Sequence, residues 1–120
     1  MLHKLKDAYL VWFNFYSSMD KIHRYTLGLK IDDLLIAAAE AMSVASFLPK
    51  SDKLPAIRKA MRKIDTIKML LYILFISQSI DQPHYIQISK LIEEISRMLY
   101  GWHNQTIKQN TPVNSTGASA

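Results

Sequence analysis

The chain has 120 residues, the length of a single domain with an ordinary hydrophobic core. Apolar residues make up 49 % of it, which excludes a wholly disordered chain. The absence of cysteine excludes disulfides, thiolate zinc sites and cysteine nucleophiles.

The first two predicted helices follow from apolar residues that recur at spacings of three and four. The first covers residues 3–21, and its apolar face is formed by Leu5, Tyr9, Trp12, Tyr16 and Met19. The second covers residues 27–48 and has a stripe formed by Ile31, Leu34, Leu35, Ala38, Met42 and Ala45. In the connecting stretch HRYTLG, residues 23–28, we expect Thr26 to cap the second helix. Gly28 lowers helix propensity there unless another group approaches it closely.

Two further helices are predicted after Pro49, which ends the second one. The third covers residues 53–80 with Pro55 in its first turn, and its inward side is formed by Ile57, Ala60, Met61, Ile64, Ile67, Leu71 and Phe75. The stretch DQPH interrupts the chain, and the fourth helix covers residues 84–107, with an apolar stripe formed by Ile88, Leu91, Ile92, Ile95, Met98, Leu99 and Trp102. Long helices with short connections predict an all-α, up-down-up-down antiparallel four-helix bundle over residues 1–108. The polar stretch 109–120 is predicted to be a disordered tail.

The positive charge of the chain is concentrated in one stretch. The net charge is +5; residues 50–68 hold seven Lys or Arg against two Asp, while the rest has eight residues of each sign. A clustered positive patch attracts polyanions or an acidic protein face, and a merely solvated helix face is the alternative interpretation. Four basic residues of this stretch cover the outer side of the third predicted helix and suit nonspecific phosphate binding: Arg58, Lys59, Arg62 and Lys63.

Two of the predicted helices carry more apolar residues than a bundle core requires. Outward-facing apolar positions predict a subunit interface and hence a homo-oligomer: Ile36, Val44, Phe47, Met69, Ile73 and Ile76. A core broadened by helix overlap, or scattered surface hydrophobics, would also explain them. Lys68 lies within the inward stripe of the third helix. A buried ammonium is costly, so Lys68 either extends to solvent, pairs with a carboxylate such as Asp65, or faces a wet cleft.

The residues that carry chemistry form no recognisable site. The four histidines have no HxxxH or HxxE spacing, and the adjacent carboxylates Asp32–Asp33 and Glu93–Glu94 point about 100° apart on a helix. A glycine-rich phosphate loop and a Ser–His–Asp pattern are also missing. The sequence therefore predicts a non-enzymatic protein with no catalytic residue, metal ligand, cofactor or small-molecule substrate. A small enzyme with an unrecognised site remains the alternative.

Three features concern the compartment. The chain has no cysteine, which favours a reducing environment. Its longest apolar run, MLLYILFI at residues 69–76, is too short for a bilayer, which requires about 20 residues. We find no signal-peptide pattern at the N-terminus. We therefore expect a cytoplasmic protein without a membrane partner.

Three motifs together resemble the accessory variability protein (Avd) family of diversity-generating retroelements. They are HRYTLG before the second predicted helix, SFLPKSDKLPAIRKA at the next junction, and ISRMLYGW in the fourth helix. The resemblance covers about residues 5–106. The wider superfamily comprises four-helix-bundle proteins encoded in ribosomal RNA intervening sequences, which usually carry an Asn-Ile-Ala-Glu-Gly-like stretch in the second helix. This chain has AAAEAMSVAS there, which favours the Avd family.

The resemblance implies a function that periodicity and composition do not. Avd-like proteins are bacterial or phage-encoded, strongly basic four-helix bundles that form a barrel-like homopentamer and have no catalytic activity of their own. They associate with the reverse transcriptase and template RNA of the retroelement and support error-prone cDNA synthesis. By position, the residues expected to contact the polymerase or an RNA or DNA backbone are Arg58, Lys59, Arg62, Lys63 and Lys68, with Arg24 and Arg97 in the motifs themselves.

One position departs from the family pattern. We expect a second basic residue one turn after Lys68, and this chain has Tyr72. The departure predicts a weaker inner basic surface and puts polymerase binding in question. The competing interpretation is an interaction protein of the intervening-sequence type, with an unknown role.

Overall fold

The computed structural model of this chain describes residues 2–111, and within them it is all-helical, as predicted. Its four long helices are α1 (Leu2–Tyr16), α3 (Leu27–Phe47), α4 (Lys53–Ile76) and α5 (Gln82–Asn110). A single-turn helix, α2 (Lys21–Arg24), connects α1 to α3, and a 3-10 turn (Lys50–Asp52) precedes α4. The predicted tail lies outside the described residues from 112 onward, and its first two residues belong to α5.

The core lies between the four long helices. Helix α3 packs against α1 and α4, and α5 packs against α4 and α1. Every long helix contributes fully buried side chains, among them Trp12, Ile31, Leu35, Met42, Ile64, Leu71, Ile88, Ile92 and Ile95. Burial of each such aliphatic side chain contributes about 1.5–3 kcal/mol. The predicted inward stripes are confirmed in their main part, while Met61, Phe75 and Trp102 lie at the edge of the core.

The first predicted helix is wrong beyond Tyr16. The hydroxyls of Ser17 and Ser18 donate to the carbonyl oxygens of Asn14 and Phe15, at 3.2 and 3.0 Å. Serine side chains that bond nearby backbone in this way compete with continued helix, so α1 ends here. Met19 is nevertheless buried in the core.

The connector HRYTLG packs onto the end of α1. The Tyr16 hydroxyl donates to the carbonyl oxygen of Arg24 at 3.1 Å. A Cβ added to Gly28 would lie 2.9 Å from the Met19 sulfur, a Tyr16 ring carbon and the His23 carbonyl oxygen. Glycine at this position is therefore required by close packing. The predicted cap is wrong, because the Thr26 hydroxyl donates to the carbonyl oxygen of Ile22 at 2.7 Å and makes no capping bond to α3.

The third predicted helix is wrong beyond Ile76, and the junction between α4 and α5 covers residues 77–81 where 81–83 was predicted. Helix α4 ends at Ile76 because Gln78 adopts a φ of 62°, and the amides of Gln78 and Ser79 bond the carbonyl oxygens of the last turn, which is the Schellman arrangement. Asp81 then accepts a 2.9 Å bond from the His84 amide and caps α5, which begins at Gln82.

Candidate functional site

The basic N-terminal half of α4 lies beside the C-terminal part of α5. Arg58 donates from Nε to Nε2 of His103 at 3.3 Å, and the Asn110 side chain donates to the carbonyl oxygen of Lys50 at 2.9 Å. The ranges 53–64 and 95–111 together contain seven Lys or Arg and no Asp or Glu. We call the surface formed by Arg58, Arg62, Arg97 and His103 the α4–α5 basic face.

The four basic residues at the start of α4 divide between two sides of the helix. Arg58 contacts α5 through His103, and Arg62 lies one turn further along α4 and is exposed. Lys59 instead lines a shallow depression with Glu40 and Val44 of α3. Lys63 is half-buried. The structure therefore brings Arg58 and Arg62 to the α4–α5 basic face and places Lys59 toward α3.

Lys53 also lies at this end of the molecule, in a structural position. Its Nζ donates to the carbonyl oxygen of Ala45 at 2.6 Å and lies 5.7 Å from the centroid of the Trp102 ring. The carbonyl oxygen of Ala45 also accepts a long 3.4 Å bond from the Leu48 amide, so Lys53 adds a second donor near the C-terminus of the helix. Lys53 thus links the end of α3 to α5.

Lys68 pairs with carboxylates, which is one of the three arrangements expected from the sequence. Its Nζ lies 3.3 Å from Glu93 and 4.0 Å from Asp65, and it donates to the Ser96 hydroxyl at 2.9 Å. The charge of Lys68 is balanced by these partners. Ser96 is 3 % exposed, whereas 34 % of the Lys68 side chain is accessible. The contact joins α4 to α5 and is structural.

The remaining predicted contact residues lie apart from one another. Arg24 donates from Nη1 to the carbonyl oxygen of Ser17 at 3.4 Å and precedes the first residue of α3. Lys53 contacts Ala45 near the last residue of that helix, and 18 helical residues span about 27 Å. Arg24 is therefore remote from the α4–α5 basic face, whereas Arg97 is exposed on α5, one turn after Glu94, whose pKa is lowered chiefly by Lys4 and also by Arg97.

Aromatic residues next to the basic face come from α5. Tyr100 is 46 % exposed and lies one turn from both Arg97 and His103. The basic stretch, residues 50–68, contains no aromatic residue of its own. Sequence reasoning about that stretch therefore missed Tyr100, which belongs to a helix about 40 residues later. The spacing Arg97–Tyr100–His103 would have identified Tyr100, had the register between α4 and α5 been known.

The outward-facing apolar residues are exposed in this chain, except that Ile73 is partly buried. Phe47, at the end of α3, is the extreme case, with 87 % of its surface accessible. Leu10 and Phe13 add exposed apolar surface on α1, beside a groove of about 380 Å³ between α1 and α3. The apolar surface is therefore larger than the sequence indicated.

Two of the groups with shifted pKa values lie at a helix contact and at a helix end. Burial, together with the nearby carboxylate of Asp32, raises the pKa of Tyr9 to about 12. The bond from the His84 amide, supported by the His84 ring, lowers the pKa of Asp81 at the start of α5. Within residues 2–111, no three histidine or acidic side chains are grouped so that they would hold a metal ion. No helix in the same range is long and apolar enough to cross a membrane.

This chain matches no protein-family model, no curated protein and no solved structure.

Proposed function

We propose that this chain is a non-enzymatic, oligomeric accessory protein of a diversity-generating retroelement. It binds the reverse transcriptase and template RNA through the α4–α5 basic face and supports mutagenic cDNA synthesis. The observation that carries the proposal is the packing of two acid-free basic ranges, 53–64 and 95–111, against each other at the Arg58–His103 contact. Such a surface binds phosphates electrostatically and without sequence specificity. The resemblance of the three motifs to the Avd family supplies the biological context.

We further propose the up-down-up-down antiparallel topology. Contacts between α4 and α5 support it, because residue numbers rise along one helix as they fall along the other. The supporting pairs are Arg58–His103, Lys68–Ser96 and the stacked rings of Phe75 and Tyr85, whose centroids lie 4.4 Å apart. Lys4–Glu94 and Phe15–His84 support the same arrangement for α1 and α5.

A homo-oligomer, which the resemblance implies is a pentamer, is the second part of the proposal. Exposed apolar residues on consecutive helices support it, chiefly Phe47 on α3 with Met69 and Ile76 on α4. A head-to-tail contact between unlike surfaces closes into a ring when the rotation between subunits allows it. Each added subunit contributes its own net charge of +5, so a ring concentrates positive potential along RNA.

A charge-reversal variant tests the proposed basic surface. Arg58→Glu, Arg62→Glu and Arg97→Glu are combined in one chain, and the matched control combines Lys21→Glu, Lys30→Glu and Lys90→Glu, which are likewise exposed and lie outside the face. RNA affinity is measured against salt concentration, and recovery of the reverse transcriptase is measured by copurification. We expect the first variant to lose both and the control to keep most of both. If both variants fold and lose RNA affinity and reverse-transcriptase recovery equally, the α4–α5 basic face is only a solvated surface.

Gene context and light scattering separate this proposal from its main competitor. A neighbouring reverse-transcriptase gene with near-identical repeats supports the retroelement function. An insertion within a ribosomal RNA gene would instead indicate an interaction protein of the intervening-sequence type. A monomer in light scattering, with no RNA binding at low salt, would contradict the proposed oligomeric RNA-binding function.

A further inference from the structure

We propose that the α4–α5 basic face takes single-stranded RNA and that Tyr100 is its stacking platform for one base. The inference rests on the proposed RNA binding and adds the class of RNA. It also assigns a contact to an aromatic side chain outside the basic stretch of α4.

Two contacts between α4 and α5 define the place of Tyr100. The Arg58–His103 bond lies on one side of it and the Lys68–Ser96 bond on the other. Tyr100 lies one turn before His103 on α5, and Arg62 lies one turn after Arg58 on α4. Tyr100 and Arg62 are both exposed and lie in the same interval of the α4–α5 interface, the part between the Arg58–His103 and Lys68–Ser96 contacts.

The charges around this interval are asymmetric. At one end Lys68 is balanced by Glu93 and Asp65. Beyond those acids, the ranges 53–64 and 95–111 contain only basic charges. An RNA strand is therefore attracted along the interval toward the end of α5, and its path crosses the exposed ring of Tyr100.

The exposed ring favours a single strand over a duplex. In a single strand a base can turn out and stack on an aromatic side chain while the phosphates stay against arginine. The bases of a duplex are already stacked on one another and present only backbone and groove edges to a convex helical surface. Stacking is worth about 1–3 kcal/mol per base, which corresponds to at least about a fivefold gain in affinity.

Tyr72 provides a matched control. It is an exposed tyrosine on α4, 53 % accessible, and thus similar to Tyr100. Its surroundings differ, because Lys68, one turn earlier, is paired with Glu93 and Asp65, and residues 69–89 contain no Lys or Arg. Removal of the Tyr72 ring changes exposed aromatic surface by a similar amount without touching the basic face.

The test measures fluorescence anisotropy of labelled RNA with the full chain at low salt. Three probes of equal length are compared: an oligouridine, the same ribose-phosphate backbone without bases, and an RNA duplex. We expect the chain to bind the oligouridine at least about fivefold more tightly than the abasic strand. Tyr100→Leu abolishes this preference, Tyr100→Phe keeps it, and Tyr72→Leu leaves it unchanged.

The outcomes separate this inference from the function on which it rests. If the unaltered chain binds all three probes equally, or if folded Tyr100→Leu keeps the preference, base stacking on Tyr100 is overturned and phosphate binding by the face stands. If the unaltered chain binds none of the probes, the proposed RNA-binding function fails as well.

Discussion

The indole nitrogen of Trp12 on α1 donates a 3.2 Å hydrogen bond to Oδ1 of Asp32 on α3. Trp12 is completely buried, so its N–H cannot turn to water if this acceptor is removed. An unsatisfied buried donor costs about 1–3 kcal/mol. We therefore expect Asp32→Ala to lower the free energy of unfolding by about this amount, measured by urea denaturation.

Two control variants give this prediction its specificity. Asp32→Asn keeps an oxygen acceptor for Trp12 and should lose less stability than Asp32→Ala. Asp33→Ala removes the exposed neighbouring carboxylate and should change the free energy of unfolding by less than about 0.5 kcal/mol. Similar losses in Asp32→Ala and Asp33→Ala would show that the contact across α1 and α3 does not stabilise the fold.

Tyr9 makes stability depend on pH at the alkaline end. Its pKa is about 12 in the folded chain, against 10.0 for an ordinary tyrosine, because burial and Asp32 disfavour the tyrosinate. The unfolded chain releases this proton first, so the contribution of Tyr9 is fully present below pH 10 and is lost as the pH rises toward 12. Between pH 10 and pH 12 the unfolding free energy should therefore fall less steeply in Tyr9→Phe than in the unaltered chain. An unchanged slope would contradict the assignment.

The sequence predicted the fold well where one face of a helix repeats. The stripe from Ile57 to Leu71 and the stripe from Ile88 to Leu99 are both buried in their main part, because repeated apolar spacing leaves a helix only one side to place inward. Helix ends were predicted less well. Ser17 and Ser18 end α1 through local side-chain bonds, and Gln78 ends α4 by adopting a positive φ. Neither helix end produces a periodic pattern in the sequence.

The candidate site was predicted only in part, since it depends on which helices are neighbours. The charges of Arg58 and Arg62 are evident in the sequence, but their proximity to α5 is set by the register between the two helices. The position of Lys68 in the inward stripe is evident in the sequence, but its pairing with Glu93 of α5 is not. Single-chain patterns carry no information about such pairings.

Gly28 and Gly101 form a matched pair for a stability test. An alanine at position 28 would place its Cβ 2.9 Å from the His23 carbonyl oxygen, which cannot move as a flexible side chain does. We expect Gly28→Ala to destabilise the chain by about 1–3 kcal/mol. Gly101 is exposed within α5, and apart from its chain neighbours and the backbone of its own helix no atom lies within 4 Å of the position that an alanine methyl would take, so Gly101→Ala should stabilise the chain by about 0.5–1 kcal/mol. Thermal and urea unfolding measure both, and a neutral Gly28→Ala would show that the connector is loosely packed.

Arg62 and Lys68 should differ in their effect on RNA binding although both are basic residues of α4. Arg62 is exposed on the α4–α5 basic face, while the ammonium of Lys68 already pairs with Glu93 and Asp65. A residue that contacts a phosphate contributes about 0.7–0.9 to the slope of log affinity against log salt concentration. Arg62→Gln should lower the slope by this amount.

Lys68→Gln should leave that slope unchanged, because glutamine can still donate to Ser96 and no phosphate contact is lost. Its overall affinity should fall slightly, since Glu93 and Asp65 then lose their counter-charge and repel RNA. The slope therefore distinguishes direct contact from field effects, as titrations over a range of salt concentrations will show. An equal fall in slope for both variants would mean that Lys68 leaves its carboxylates to bind RNA, and the structural role assigned to it would be wrong.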